Sequence, residues 1–211
     1  DLGALVGDIR TNADFGYSQT RVVEMLKESK ARYESAFRTS GQAYASLRIS
    51  AGLNSAGLIN EATGGVSHYF KVLELLDTAQ NDWPSLLSRL EAMRSKMLKR
   101  ASSATVVNLT GDKKALDAAQ GQLGSFCAQL FGAGTSSTEP DWSSLASLVN
   151  VKPNEAFSVP TQVNYVAKGG SLYKPGEVTS GADSVVRRFL SLDYLWNQVR
   201  VQGGAYGSSA S

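Results

Sequence analysis

Two hydrogen-bond donors lie close together in the stretch "RVQGGAYG", where Arg200 precedes Tyr206 by six residues and Gly203 and Gly204 stand between them. Successive side chains of a β-strand alternate between its faces, so in a strand Arg200 and Tyr206 would share one face. A guanidinium fork and a phenol are donors of the kind that stabilise a developing oxyanion. The spacing alone, however, favours a plainer interpretation: an exposed arginine and a half-buried tyrosine in an ordinary turn.

The overall charge of the chain is close to balanced. Its 211 residues include 21 Lys and Arg against 19 Asp and Glu, which gives a net charge of +2. Such a balance creates no strong field that would steer the protein to nucleic acid or to an anionic membrane surface. No apolar run approaches the roughly 20 residues that a bilayer-spanning helix needs. We therefore expect no nucleic-acid partner and no membrane span.

The chain contains one histidine, His68, and one cysteine, Cys127. A catalytic zinc ion normally takes three protein ligands, and His68 has no second ligand residue three or four positions away on a helix. We predict that His68 is satisfied by hydrogen bonds within its own segment and that the chain by itself holds no metal site. A lone cysteine excludes an internal disulfide and fits a reducing or organellar compartment.

The elements that must position these residues fall into two parts. Apolar residues recur at helical spacing through most of the first hundred positions, and Asp82 is the predicted N-cap of the last helix there. The β-branched run "TVVNLTGD" then predicts a strand and a following helix. Residues 158–167 alternate between apolar and polar, which predicts a half-buried strand.

A helix over about residues 182–199 is apolar almost all round, which predicts burial, and a last strand is predicted over 200–207. The predicted fold class is therefore α+β: a helical part over residues 1–101, then a βαβαβ part over 102–211. The expected sheet contains residues near 105–109, 158–167 and 200–207, with helices packed on it.

Three stretches carry a resemblance to a known family: "AGLINEATGGVSHYF", "VNYVAKGGSLYKPGE" and "DYLWNQVRVQGGAYG". Together with the predicted order of elements, they resemble the pitrilysin-type zinc metalloproteases that carry an inverted His-x-x-Glu-His motif. Within these, the chain looks like the presequence protease branch of mitochondria and chloroplasts. The resemblance extends from about residue 42 to residue 207.

The resemblance implies a role for the motif at residues 200–206. Enzymes of this family consist of two halves, with the zinc ion in the N-terminal half. Arg200 and Tyr206 match the arginine and tyrosine that reach the scissile peptide from the other half, so they would stabilise the transition state. Gly203 and Gly204 would let the substrate backbone approach closely.

The inverted zinc motif is absent from this sequence. The resemblance therefore implies a fragment of the C-terminal, non-zinc half: the helical tail of one family domain and the truncated beginning of the next. Such a piece would depend on the remainder of the same polypeptide or on a partner chain. Zinc would belong to the full-length enzyme, and the isolated chain would bind no zinc and cleave no peptide.

The expected function is that of part of a zinc metalloendopeptidase that degrades targeting presequences and other short unstructured peptides, in the mitochondrial matrix and/or the chloroplast stroma. Two alternatives remain open. One is a non-catalytic interaction or scaffold module of the same fold in a larger organellar complex. The other is a generic helical binding protein, in which Arg200 and Tyr206 would be exposed and unrelated to any substrate chamber.

Overall fold

The computed structural model describes residues 5, 7–9, 12–104, 108–131, 151–152, 154–174 and 176–211. The chain divides into two units, Asp1–Gly169 and Gly170–Ser211. The domain boundary predicted between residues 101 and 102 stays a prediction.

The first unit is built from helices. They are a short 3-10 turn (Gly16–Ser18), α1 (Gln19–Ala51), α2 (Ser55–Gly64), α3 (Val66–Asn81), α4 (Trp83–Ala104) and α5 (Lys113–Phe131). Helix α1 packs against α2 and α3, α3 packs against α4, and α4 packs against α5. Helix α1 is kinked at Ser40, whose φ of −141° and ψ of 32° are not helical. The prediction of a helical part up to about residue 101 is confirmed.

Polar side chains cap the starts of three of these helices. The side chain of Asn54 accepts a hydrogen bond from the backbone N–H of Gly57 at 2.7 Å, ahead of α2. Asp82 accepts one from Ser85 N at 3.3 Å, which confirms it as the N-cap of α4. Asp112 accepts one from Ala115 N at 2.8 Å, at the start of α5. These bonds satisfy N–H groups that have no partner within the helix itself.

A fully buried carboxylate joins α1, α2 and α3. Glu61 has no exposed surface. Its Oε1 accepts hydrogen bonds from Arg48 Nη1 at 3.1 Å and from the backbone N–H of Ser67 at 2.9 Å. A Cβ atom added at Gly65 would come within 1.7 Å of Glu61 Oε2. The turn between α2 and α3 therefore needs a residue without a side chain at this position.

Arg48 also binds the segment that follows residue 150. Its Nε and Nη2 donate to the two carboxylate oxygens of Glu155 at 2.6 Å and 2.9 Å. This two-bond contact raises the pKa of Arg48 and lowers the pKa of Glu155. A bidentate arginine–carboxylate pair fixes direction as well as distance. Arg48 thus connects α1, the beginning of α3 and residues near 155.

Aromatic rings pack between α1 and α3. Phe37 lies 4.6 Å from Tyr44 and 5.1 Å from Tyr69, measured between ring centroids, and both pairs meet edge to face. The Tyr33 hydroxyl is 2.7 Å from Nδ1 of His68, and burial raises the pKa of Tyr33. His68 is thus hydrogen-bonded. Its partner lies on another helix, whereas the sequence analysis predicted a partner within its own segment.

The predicted βαβαβ sheet is wrong, because no β-strand occurs in the part of the chain that the structure describes. Residues 158–167 are irregular and lie along α1, where the Tyr165 hydroxyl donates to the Arg38 carbonyl at 2.7 Å. Residues 108–109 are not in a strand, and 105–107 lie outside the described residues. Residues 200–202 belong to a helix. A strand needs a neighbour to pair its backbone groups, and the described residues supply none.

The second unit is dominated by one helix. Helix α6 (Gly181–Phe189) starts at a capping box formed by Ser180 and Asp183. It continues as wider π-helical turns over Leu190–Tyr194 and Trp196–Gln202. The prediction that this helix is buried is wrong: Val185, Phe189 and Leu192 are 69%, 61% and 57% exposed. Apolar residues all round a helix are typical of a core position, but these side chains are exposed.

Among the described helices, none combines the length and apolar character that crossing a membrane requires.

The Arg48–Glu61 pair gives a direct stability prediction. Replacement of Arg48 by alanine should lower the free energy of unfolding by about 3–5 kcal/mol, because a buried charge is left without its counterion. The free energy of unfolding of Arg48→Lys should lie between those of wild type and Arg48→Ala, since lysine keeps the charge but lacks the planar fork. Arg21→Ala on the same helix is the control, because its contact with Glu24 is exposed and should cost about 0.5 kcal/mol. Urea unfolding followed by circular dichroism measures all four proteins; equal losses for Arg48→Ala and Arg21→Ala would contradict the proposed anchoring.

Glu155 predicts a dependence of stability on pH. Its folded pKa lies below the ordinary value of 4.5, so its contribution is complete above that value and is lost as the pH falls through the folded pKa. Glu155→Gln should cost about 1–2 kcal/mol at neutral pH. The difference from wild type should shrink as the pH is lowered from about 5 to about 3. Thermal unfolding across this range tests it, with Glu24→Gln as the exposed control; a difference that stays constant down to the lowest pH would refute the linkage.

Candidate functional site

The predicted site residues lie where the helix of the second unit ends. Gly204 N donates to the Arg200 carbonyl at 3.0 Å, and Ala205 N donates to the Val199 carbonyl at 3.2 Å. Gly204 has a φ of +71°, which glycine adopts without strain. A Cβ atom at Gly203 would come within 2.6 Å of the Val199 carbonyl oxygen. We call residues 199–206 the C-terminal turn; it resembles the glycine-dependent ends of many helices, widened by the π-helical geometry.

After the C-terminal turn, the chain returns along the helix that it has just left. The Ser208 hydroxyl donates to the Leu195 carbonyl at 3.1 Å. Farther along, Ala210 N donates to Ser191 Oγ at 3.0 Å. These two contacts hold residues 208–210 against the helix, so Tyr206 sits at the beginning of the return.

Arg200 is held within the C-terminal turn by two contacts. Its Nη1 donates to the carbonyl oxygen of Tyr206 at 2.5 Å. Its guanidinium carbon lies 4.7 Å from the ring centroid of Trp196, four residues earlier on the helix. A guanidinium has five N–H donors, so most of them stay available after these contacts.

Tyr206 presents its side chain to solvent, with 87% of the residue exposed. The expected arrangement, in which Arg200 and Tyr206 share one face of a strand, is wrong, because Arg200 lies in the last helical residues and Tyr206 lies at the end of the C-terminal turn, outside any strand. The turn brings the Arg200 guanidinium to the backbone of Tyr206 instead. Both residues can still donate: the arginine through its remaining N–H groups and the tyrosine through its hydroxyl.

The two glycines have a structural role in this arrangement that the sequence analysis did not assign. Gly203 and Gly204 end the helix and reverse the chain, as their contacts and the positive φ of Gly204 show. Their expected role in admitting the substrate backbone stays a prediction.

The residues that the structure describes do not fit a zinc site. They contain no group of three His, Cys, Asp or Glu side chains close enough to hold a metal ion. The donors at the C-terminal turn are a guanidinium and a phenol, and neither is a typical zinc ligand.

Trp196 is the residue of this site that the sequence analysis missed. It lies in the helix predicted over about residues 182–199, and the spacing in "WNQVR" places it one turn before Arg200. Side chains four residues apart on a helix are neighbours, and tryptophan is the best ring partner for a cation. This spacing was the signal that could have identified it.

Comparison with known families covers both ends of the chain. Residues 1–75 match the family of domains described as associated with subfamily C of the M-16 peptidases. Residues 154–211, which include the whole C-terminal turn, match the family described as "PreP C-terminal domain".

Two curated proteins are similar over nearly all of the chain. "Presequence protease 1, chloroplastic/mitochondrial" of Arabidopsis thaliana is 36% identical over 190 residues, which are 90% of this chain and 17% of that protein. "Protein HypA" of Clostridium perfringens is 26% identical over 204 residues, which are 96% of this chain and 20% of that protein. The chain therefore spans a fifth or less of the length of these relatives.

The geometry of the C-terminal turn predicts how it responds to substitution. Gly204→Ala should loosen the turn, because an alanine at positive φ costs about 1–2 kcal/mol. Amide hydrogen exchange at residues 204 and 205 should then accelerate about 5- to 30-fold. Gly207→Ala is the matched control, since a Cβ atom there meets no neighbour within 4 Å. The same exchange rates in both variants would show that the turn does not depend on Gly204.

Proposed function

We infer that this chain belongs to the presequence protease family and is part of a peptidase. We propose that its C-terminal turn acts on the peptide being cleaved. The main support is the match of residues 154–211 to the PreP C-terminal domain, because the complete turn lies in that region. The exposed hydroxyl-bearing side chain of Tyr206 adds to it, since a donor must be reachable to serve a substrate.

The proposed chemistry is stabilisation of an oxyanion. When a water that has lost a proton to a base attacks the peptide carbonyl carbon, a C–O bond forms and the electron pair of the C=O π bond moves to the carbonyl oxygen, which becomes negatively charged. Arg200 would donate N–H groups to that oxygen, and Tyr206 would donate its hydroxyl. Such donors accelerate the reaction only if they bind the charged intermediate better than the neutral substrate, and a charged guanidinium satisfies this condition.

In this proposal, zinc binding and oxyanion stabilisation are supplied by different parts of the enzyme. Zinc, the cofactor of the full-length enzyme that we propose, does not fit the side chains described here. We therefore propose that the remainder of the same polypeptide, or a partner chain, holds it. The exposed apolar side chains of α6, Val185, Val186 and Phe189, support this proposal because they offer a surface for such a neighbour.

The proposed substrates are short unstructured peptides, targeting presequences among them. The Arabidopsis relative is named a presequence protease of chloroplasts and mitochondria. For this chain we accordingly propose the mitochondrial matrix and/or the chloroplast stroma. The chain's match to this relative over 90% of its own length supports the assignment.

A second candidate function is a non-catalytic interaction or scaffold module in a larger organellar complex. The exposed apolar side chains of α6 favour this function, because exposed apolar surfaces commonly bind another protein. The two candidates differ in whether the two donors of the C-terminal turn affect peptide turnover.

Substitution in the full-length protein tests the proposed chemistry. Tyr206→Phe and Arg200→Ala should each lower kcat for an unstructured peptide about 10²- to 10³-fold, with little change in KM, because the lost donor serves charge that appears only in the transition state. Arg200→Lys should recover only part of the rate, since an ammonium group lacks the planar fork. Single-turnover and steady-state kinetics measure these effects.

Tyr194→Phe is the matched control, because it removes a hydroxyl from another exposed tyrosine of the same unit. Zinc content and Tm must stay at the wild-type value in every variant for the comparison to count. Near wild-type turnover in both Tyr206→Phe and Arg200→Ala would reject the catalytic role and leave the interaction module as the better proposal.

A further inference from the structure

The contact between Trp196 and Arg200 combines a suitable partner with a suitable distance. The guanidinium carbon lies 4.7 Å from the indole centroid, inside the roughly 6 Å range over which a cation is attracted to an aromatic face. The two residues are one helical turn apart, which makes their side chains neighbours. Trp196 is 45% exposed, so the ring still has a free surface while Arg200 covers part of it.

Arg200 needs such a contact because its side chain is long and flexible. An arginine loses a large rotamer entropy when it is fixed in one orientation. The hydrogen bond to the Tyr206 carbonyl restrains one edge of the guanidinium. The Trp196 ring restrains its plane. The two contacts together reduce the number of orientations open to the guanidinium.

The hydrogen bond to the Tyr206 carbonyl also restrains the backbone of Tyr206. The Arg200 guanidinium binds the backbone of Tyr206, and the Arg200 carbonyl accepts from Gly204 N within the same turn. A change in the orientation of the Arg200 side chain should therefore shift the backbone of Tyr206, the residue that carries the second donor.

We propose that Trp196 is a positioning residue that orients Arg200 and, through Arg200, the backbone of Tyr206. This inference rests on the proposed function, in which Arg200 and Tyr206 stabilise the oxyanion of the peptide. Trp196 itself does not touch the reacting atoms in this proposal.

Kinetics of the full-length protein test the positioning role. Trp196→Leu should lower kcat for an unstructured peptide about 3- to 30-fold and leave KM unchanged, because only the orientation of a transition-state donor is lost. Trp196→Phe should recover most of the rate, since it restores an aromatic face. In the Arg200→Ala background, Trp196→Leu should cause no further loss, because the residue that it orients is gone.

Tyr194→Leu serves as the control for removing an aromatic ring from the same exposed helix. If Trp196→Leu lowers the Tm, Trp196→Phe becomes the test of the positioning role. The smaller loss of activity in Trp196→Phe must then appear in kcat alone and be absent in the Arg200→Ala background. A loss of the same size in that background, or one equal to that of Tyr194→Leu, would overturn the positioning role alone. A fully active Arg200→Ala protein would instead overturn the proposed function on which it rests.

Discussion

The first unit depends on the burial of one negative charge. A carboxylate without access to water is tolerated only when a counterion and hydrogen bonds replace its hydration. Oε1 of Glu61 obtains these from Arg48 and from the backbone N–H of Ser67. Arg48 can serve it only while its guanidinium is oriented, and Glu155 provides that orientation through two further bonds. The positions of α1, of the α2–α3 turn and of residues near 155 are therefore linked through a single side chain.

The second unit is organised by local contacts. None of the residues in its helix is buried, so its shape comes from the capping box at Ser180, the C-terminal turn and the return of residues 208–210 along the helix. Around Arg200, these contacts join residues only four to six positions apart. The geometry around Arg200 is consequently set by its own neighbours in sequence.

Local determinants also explain which features could be predicted from sequence. The cap at Asp82 depends on residues a few positions apart, and it was predicted correctly. The alternation over 158–167 led to a wrong prediction, because alternation describes two faces and cannot show whether a pairing strand is present. The Arg48–Glu155 contact joins residues 107 positions apart, and nothing in a single sequence marks such a pair. The predicted α+β fold class was therefore wrong, because it required strands to pair with segments that are distant in the sequence.

The spacing of Arg200 and Tyr206 has a different meaning in a turn than in a strand. In a strand, six residues place two side chains on one face, and the glycines between them are optional. At the end of a helix, the same spacing brings the guanidinium to the carbonyl of the later residue. It does so only because Gly204 reverses the chain at positive φ and Gly203 leaves room beside the Val199 carbonyl. The paired glycines are thus a requirement of the Arg200–Tyr206 contact, and any chemistry assigned to the two donors depends on the backbone between them.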